Sequence, residues 1–201
     1  MTDRTDNFNR ADSTISLGTP SDGGSAWVAE NGTWGIVSNQ GYRVATDLTT
    51  QNASLEASVS NVEVQVTLSE RPRGGPIARV ADASNRLIAN LDNTSNNLIL
   101  YKIVAAVATQ LGSTYSVTPA DGDVVKIRAD SANLITVYLN GTSRITATDA
   151  AGSSNTKHGI ACYRAGAGVS AYFDSFSITA IVAFVANQPR VISQAIQASN
   201  W

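Results

Sequence analysis

The sequence predicts an all-β fold, a sandwich of two antiparallel sheets that is followed by a C-terminal arm. Strand signals return about every ten residues between turns rich in Gly, Asn and Asp, which is typical of sandwiches and barrels. Apolar and polar residues alternate between Leu55 and Leu68, the period of a strand with one buried face. Only 15% of the residues are charged, and the surface polarity of Ser, Thr, Asn and Gln disfavours long helices.

The individual strands are separated by turn chemistry. Asn31-Gly32 predicts the turn of a hairpin whose second strand contains Trp34, because both turn residues accept positive φ. Asn140-Gly141 predicts a second hairpin of the same kind. The stretch 70–76 is expected to interrupt the sheet, since proline cannot donate to a strand ladder. The remaining strands are predicted at 77–80, 86–91, 98–104, 105–110, 124–129, 134–139, 142–148, 159–163 and 169–180.

The chain is predicted to form one domain over residues 1–183 and an appended arm over residues 184–201. The arm has few charges and a weak helical spacing, and it is short for independent folding. It either contacts another subunit or folds back on its own domain. The residues expected to make an assembly contact are Phe184, Pro189, Val191, Ile192, Ile196 and Trp201.

Charge and hydropathy exclude several partners. The formal net charge is −2 and no run of Lys or Arg occurs, so nucleic acid is not expected as a partner. No segment reaches the roughly 20 apolar residues of a membrane span, and no apolar stretch follows the first residues. We therefore expect a protein that is made in the cytoplasm without a signal peptide and is not inserted into a membrane.

The sequence gives little support for catalysis, so we predict that the protein is not an enzyme and has no organic cofactor. Cys162 lies in an apolar run and is interpreted as a small buried residue. His158 is interpreted as a polar loop residue rather than a general base. Glu56 and Glu63 are expected on different strands, whereas a glycosidase needs two carboxyl groups about 5 to 9 Å apart.

Two loops carry oxygen ligands of the type that calcium prefers. The alternative is that these residues form turns, because Asn and Asp bond to their own backbone. The candidate metal ligands are Asp92, Asn93, Asn96, Asp121 and Asp123.

A sugar site would need an aromatic side chain beside hydrogen-bonding groups. The same aromatic residues could instead pack in the core. The candidates for carbohydrate binding are Tyr42, Tyr101, Tyr115, Tyr163 and Arg164.

The two ends of the domain resemble a known family. Residues 6–13 and the later Gly32-Thr33-Trp34-Gly35-Ile36 are similar to the start of concanavalin A-like (laminin G-like) jelly-roll domains. The stretches 124–128, 135–141, 159–161 and 171–176 resemble that family's closing strands in the same order. The resemblance implies a jelly-roll sandwich, a fold that hosts lectins, hydrolases and adhesion modules alike.

The resemblance also suggests a function. Versions with this opening resemble domains in tail or capsid-surface proteins of tailed bacteriophages. It implies a structural protein of the virion, a capsid decoration or minor tail component, that binds other virion proteins or itself and adheres to a cell-surface glycan. The alternative is a carbohydrate-binding, lectin-like module, and the third hypothesis is a glycoside hydrolase.

Overall fold

The computed structural model describes residues 3–44, 50–70, 73–162 and 171–182, and these residues form strands and turns without a helix. Within those ranges there is accordingly no helix long and apolar enough to cross a membrane. The strands are β1 (Arg4–Asp6), β2 (Val28–Asn31), β3 (Trp34–Val37), β4 (Gln40–Arg43), β5 (Gln51–Glu56), β6 (Val62–Ser69), β7 (Arg73–Asp82), β8 (Asn85–Asp92), β9 (Asn97–Val104), β10 (Val107–Ser116), β11 (Val124–Ala129), β12 (Leu134–Leu139), β13 (Thr142–Thr148), β14 (Lys157–Cys162) and β15 (Tyr172–Ala180).

Two antiparallel sheets pack face to face, which confirms the predicted jelly-roll sandwich. One sheet has eight strands in the order β13-β12-β11-β6-β15-β4-β3, with β1 paired to β15. The other has seven strands in the order β10-β9-β8-β7-β14-β5-β2. Alternate residues of both sheets meet in one apolar core, as the period of two requires. Trp27 and Trp34 belong to this core.

Two predictions about the connections between strands were wrong. Asn31-Gly32 does not close a hairpin, because β2 pairs with β5 in one sheet and β3 pairs with β4 in the other. The Asn31 side chain instead bonds to β5, where its Oδ1 accepts the Asn52 N–H at 2.7 Å. The expected interruption at 70–76 is also too long, since β7 begins at Arg73 and continues through Pro76 opposite Ile160. The predicted Asn140-Gly141 hairpin is present between β12 and β13.

A buried carboxylate fastens the N-terminal segment to the sandwich. Asp6 is 1% exposed, and its two oxygens accept hydrogen bonds from both terminal nitrogens of Arg10, at 2.8 and 2.7 Å. The indole N–H of Trp27 donates to the same carboxylate at 2.7 Å, and the Phe8 N–H donates at 2.9 Å. Charge-assisted bonds of this kind are among the stronger ones in proteins. The pattern Asp6-x-Phe8-x-Arg10 therefore closes one end of the core.

His158 is buried in the sandwich, which corrects its interpretation as a polar loop residue. It lies on β14 with no exposed surface. Its Nδ1 accepts the Arg79 N–H at 3.1 Å, and its Nε2 donates to the Val59 carbonyl at 2.8 Å. Arg79 has a φ of 54° at an irregularity in the pairing of β7. The neutral imidazole thus holds a bulge in place.

Substitution of Asp6 should weaken the whole fold. In Asp6→Asn the ion pair with Arg10 is lost and Arg10 keeps an uncompensated charge, so we expect a loss of about 3 kcal/mol in the free energy of unfolding. Urea denaturation of the wild type and variant measures this difference. Asp3→Asn is the matched control, because exposed Asp3 uses one oxygen to accept the Ala180 N–H, which an amide oxygen preserves. Equal losses in the two variants would contradict the role of Asp6.

Acid should destabilise the protein through His158. Burial lowers the pKa of His158 from 6.5 to about 4, so the unfolded chain binds a proton more readily than the folded protein. Stability from this group is complete above pH 6.5 and is lost as the pH falls towards 4. Between pH 7 and pH 5 we expect a loss of about 2 kcal/mol in urea-denaturation experiments.

The pH test is specific because the chain contains one histidine. The carboxylates with lowered pKa values lose their contribution only at lower pH, and these are Asp22, Glu56, Glu63, Asp82 and Asp149. His158→Gln removes the titrating ring and should abolish the dependence between pH 7 and pH 5. An unchanged pH slope in that variant would assign the effect elsewhere.

Candidate functional site

The outer face of the seven-stranded sheet has its own buried apolar cluster. Ile77, Val80, Ile88 and Ala161 are buried there, and Tyr101 packs against them. Ile77, Ile88 and Ala161 point away from the main core, since their neighbours along each strand belong to that core. A sheet face that only met water would instead be polar. This face is therefore the candidate binding surface of the described residues.

A row of small residues crosses this face. Asn52 on β5 lies opposite Ala161 on β14, which lies opposite Gly75 on β7. The register of β7 on β8 then places Gly75 opposite Asn90. The two asparagine positions are three strand spacings apart, about 14 Å, with no side chain larger than methyl between them. We call this feature the outer-face groove.

The groove depends on glycines that allow neighbouring strands to lie close together. A Cβ atom on Gly75 would lie 2.0 Å from the Ala89 carbonyl oxygen. A Cβ atom on Gly159 would lie 2.0 Å from the Ala53 carbonyl oxygen. Both obstacles are backbone atoms in paired strands, so a larger residue requires the sheet to shift. The floor of the groove is consequently set by backbone packing.

One end of the groove is strongly polar. Arg73, Asp92 and Asn97 lie opposite one another on β7, β8 and β9. The Arg73 Nε donates to Asp92 Oδ1 at 3.1 Å, and both side chains are mostly buried. The same oxygen accepts the Thr94 N–H at 2.8 Å. This end offers a cation and a carboxylate in fixed positions.

Several amide oxygens along the groove lack hydrogen-bond partners. Asn90, Asn93 and Asn97 each have a buried Oδ1 that no described residue donates to, and so does Asn52. The Asn52 Nδ2 donates to Asn31 Oδ1 at 3.0 Å, which fixes the direction of its free oxygen. Each unpaired buried acceptor costs about 1 to 3 kcal/mol. The set therefore marks a place where a hydroxyl-bearing ligand or water supplies the missing donors.

The structure places the predicted sugar-binding residues in different regions. Tyr101 lies on the outer face, opposite Ile88. Tyr42 is on the eight-stranded sheet, where its ring stacks on Tyr172 at 5.9 Å. Tyr115 packs at the edge of the main core under the guanidinium of Arg144. Tyr163, Arg164 and the six assembly residues Phe184, Pro189, Val191, Ile192, Ile196 and Trp201 lie outside the described residues, and their roles stay predictions.

The candidate calcium ligands lie in two separate turns. Asp92, Asn93 and Asn96 surround the β8–β9 turn, whereas Asp121 and Asp123 precede β11. Their carboxylates bond to protein groups: Asp123 accepts the Ala120 N–H and the Asn140 amide, and Asp121 accepts the Glu70 N–H. Among the residues the structure describes, no group of three or more His, Cys, Asp or Glu is placed to hold a metal. The turn-forming interpretation accounts for the carboxylate contacts.

The two carboxylates considered for hydrolysis are on different strands, as the sequence predicted, and those strands belong to different sheets. Glu56 ends β5, and Glu63 lies on β6. Burial tends to raise the pKa of Glu56, but hydrogen bonds from Thr156 and from backbone N–H groups outweigh it and lower the pKa. Burial acts in the same direction on Glu63, and ion pairs with Lys126 and Arg128 lower its pKa. Neither group has the raised pKa of a general acid.

Cys162 is fully buried, as the sequence predicted. Burial raises the pKa of its thiol, and the Ala171 N–H donates to its Sγ at 3.5 Å. A buried protonated thiol packs as a small apolar group and does not act as a nucleophile.

Sequence reasoning missed Asn52, Arg73 and Asn90. The available signal was an amide inside an otherwise apolar strand, as in Leu87-Ile88-Ala89-Asn90-Leu91. A polar residue in such a run has to find a partner or serve a ligand. The strand order needed to bring β5 beside β14 and β7 could not be obtained from local pattern.

Several solved structures with the same fold have names that refer to carbohydrate binding or carbohydrate hydrolysis. The carbohydrate-binding module CBM66 from Bacillus subtilis has a TM-score of 0.57 at 18% identity, over 84% of this chain and 97% of that one. A β-glucanase of Bacillus licheniformis gives 0.58 at 10% identity, over 89% and 98%. The VIP36 exoplasmic/lumenal domain in its Ca²⁺/Man3GlcNAc-bound form gives 0.55 at 12% identity, over 81% and 87%.

These similarities establish the concanavalin A-like jelly-roll fold, shared by binding modules, lectin domains and glucanases. No protein-family model matches the sequence, and the search of curated proteins gives no match. The prediction of a phage virion protein, a capsid decoration or minor tail component, is wrong. Neighbours with this fold include a carbohydrate-binding module and a carbohydrate recognition domain, which favour the alternative function.

Substitution of Gly159 should disturb the groove through the backbone. In Gly159→Ala the new methyl group meets the Ala53 carbonyl, so β14 and β5 have to separate. We expect a loss of about 1 to 3 kcal/mol in the free energy of unfolding, measured by urea denaturation. Ser177→Ala on β15 is a control of similar size on the other sheet. A Gly159→Ala variant as stable as the wild type would contradict the close approach of the strands.

Proposed function

We propose that this chain is a non-catalytic carbohydrate-binding domain whose site is the outer-face groove. The observation that carries the proposal is the set of buried, unpartnered amide oxygens on Asn52, Asn90 and Asn97 beside the Arg73–Asp92 ion pair. Sugar hydroxyls both donate and accept hydrogen bonds. They therefore complement acceptors that the protein leaves open and a nearby cation and carboxylate.

The groove also offers an apolar surface for a sugar ring. Ile77 and Ile88 form the floor beside the polar row, and the Tyr101 side chain lies next to them on β9. The C–H faces of a pyranose pack against such surfaces while its hydroxyls reach the amides. Polar and apolar contacts on one face together fit a carbohydrate better than a purely apolar or ionic ligand.

The neighbours of known structure support this choice. CBM66 is named a carbohydrate-binding module, Emp46p has a carbohydrate recognition domain, and VIP36 was solved with Man3GlcNAc. Glucanases share the fold too, but Glu56 and Glu63 lie on different sheets and their pKa values are lowered. Glycoside hydrolysis generally uses two carboxyl groups about 5 to 9 Å apart that flank the scissile bond. Binding without cleavage is the proposal that these contacts favour.

The binding test uses the full chain on a glycan array, followed by calorimetric titration of the best ligand. Asn90→Ala and Asn52→Ala should each weaken binding about tenfold or more, because each removes an acceptor that the ligand satisfies. Asn90→Ala should leave thermal stability nearly unchanged, since Asn90 makes no side-chain hydrogen bond to a described residue.

The matched control for the binding test is Asn9→Ala, which removes an exposed amide from the N-terminal segment. Its affinity should equal that of the wild type. An array without any bound glycan would overturn the proposed function. A bound glycan whose affinity is the same in Asn90→Ala and Asn52→Ala would move the site away from the groove.

We expect binding to be independent of calcium, although VIP36 was solved with that ion. Arg73 already neutralises Asp92, and a second cation beside this pair would be repelled. Titrations in EDTA and in millimolar calcium should therefore give equal affinities. Loss of binding in EDTA, restored by calcium, would show that the β8–β9 turn holds the metal that the sequence suggested.

A further inference from the structure

A cavity of about 330 Å³ opens at the far end of the same sheet face. It lies between the start of β8, the end of β9 and the turn that precedes β14. Its lining is mainly apolar and includes Ala81, Ile103, Val104 and Ala151. Arg79 and Arg86 also line the cavity. The Arg79 guanidinium donates hydrogen bonds to Ser60, Asp130 and Asn133, so Arg86 is the principal charged group that faces the cavity.

Arg86 is a buried cation without an ion pair. Arg86 is 7% exposed, and no carboxylate of the described residues lies within 4.0 Å of its guanidinium nitrogens. Nη1 donates to the Ala83 carbonyl, whereas Nε is buried and has no partner. Nη2 makes no hydrogen bond to a described residue either. Burial lowers the pKa of Arg86 to about 10.

Asp82 offsets the charge of Arg86 only in part, because burial still lowers the pKa of Arg86. Asp82 uses its oxygens in its own turn, where they accept the Ser84 N–H at 2.6 Å and the Asn85 amide at 2.9 Å. Buried charges in proteins are normally paired or bound to a ligand. Arg86 therefore presents one free edge of its guanidinium, Nε with Nη2, and this edge matches the two oxygens of a carboxylate.

We propose that the Arg86 cavity binds the carboxylate of an acidic sugar at one end of the glycan held in the outer-face groove. Arg86 and Asn90 lie on the same side of β8, four residues or about 13 Å apart, so one oligosaccharide can reach both. The carboxylate accepts two parallel hydrogen bonds from Arg86, while the sugar body contacts the apolar lining. This inference rests on the proposed function and specifies its ligand class as uronic-acid-type glycans.

The full chain is titrated separately with sodium glucuronate, glucose and sodium acetate. NMR or calorimetry measures the binding affinity for each compound. Glucuronate should bind at least tenfold more tightly than either glucose or acetate. Arg86→Met keeps the size of the side chain and removes its charge, and it should lose this preference. Arg86→Lys keeps the charge without the paired donors and should bind glucuronate at least several-fold more weakly. Arg144→Met, which removes an exposed charge from β13, should behave as the wild type.

Stability provides a second readout that separates a ligand site from a structural one. In ligand-free buffer, Arg86→Met should unfold at the same temperature as the wild type or higher, because an unpaired buried charge is removed. A clear fall in its unfolding temperature would assign Arg86 a structural role and overturn the proposal. Equal binding of acetate and glucuronate would reveal an adventitious anion only, and no binding of glucuronate would also overturn it.

The two proposals fail in different ways. Neutral glycans on the array whose binding requires Asn52 and Asn90 would support the outer-face groove as the binding site, whatever the glucuronate titration shows. If glucuronate binds through Arg86 but Asn52→Ala and Asn90→Ala bind every array ligand as the wild type does, the groove is wrong.

Discussion

The close approach of strand backbones at the centre of the seven-stranded sheet is the constraint on which this structure depends. Gly75 and Gly159 both lie where a Cβ would meet a carbonyl oxygen of the neighbouring strand. Gly75 carries no side chain and Ala161 carries only a methyl group, so no larger side chain stands between Asn52 and Asn90. The apolar side chains Ile77 and Ile88 can then pack on the outer face instead of meeting water. The same backbone geometry thus stabilises the sheet and shapes the groove.

The N-terminal segment is attached to the core by the contacts of a buried carboxylate. Asp6 brings Arg10 and Trp27 to one carboxylate, and the Trp27 ring lies 4.8 Å from Phe176 on β15. The N-terminal segment is therefore joined to the last strand of the sandwich through an aromatic contact and a saturated ion pair. The motif maintains the fold and carries no information about the ligand.

Local pattern predicted the strands well and the site poorly, for a clear reason. The alternation from Leu55 to Leu68 follows from burial of one strand face, and the Asn140-Gly141 turn follows from positive φ at both residues. Both features depend on local sequence, so both were predicted correctly. The Asn31-Gly32 turn has the same local chemistry, but tertiary packing sends its two strands to different sheets. His158 and Asn90 owe their roles to strands distant in sequence. A resemblance at the level of fold was likewise too coarse to choose between virion assembly and sugar binding.

The distribution of unpaired polar atoms is the strongest argument for a ligand. This chain can satisfy buried polar groups fully, as the Asp6 carboxylate and the His158 ring show. Yet the amide oxygens of the groove and the Nε of Arg86 have no partner among the described residues. They all belong to β5, β8, β9 or the turn between the last two. The position of these atoms on the seven-stranded sheet supports the proposal that a ligand completes hydrogen bonds there.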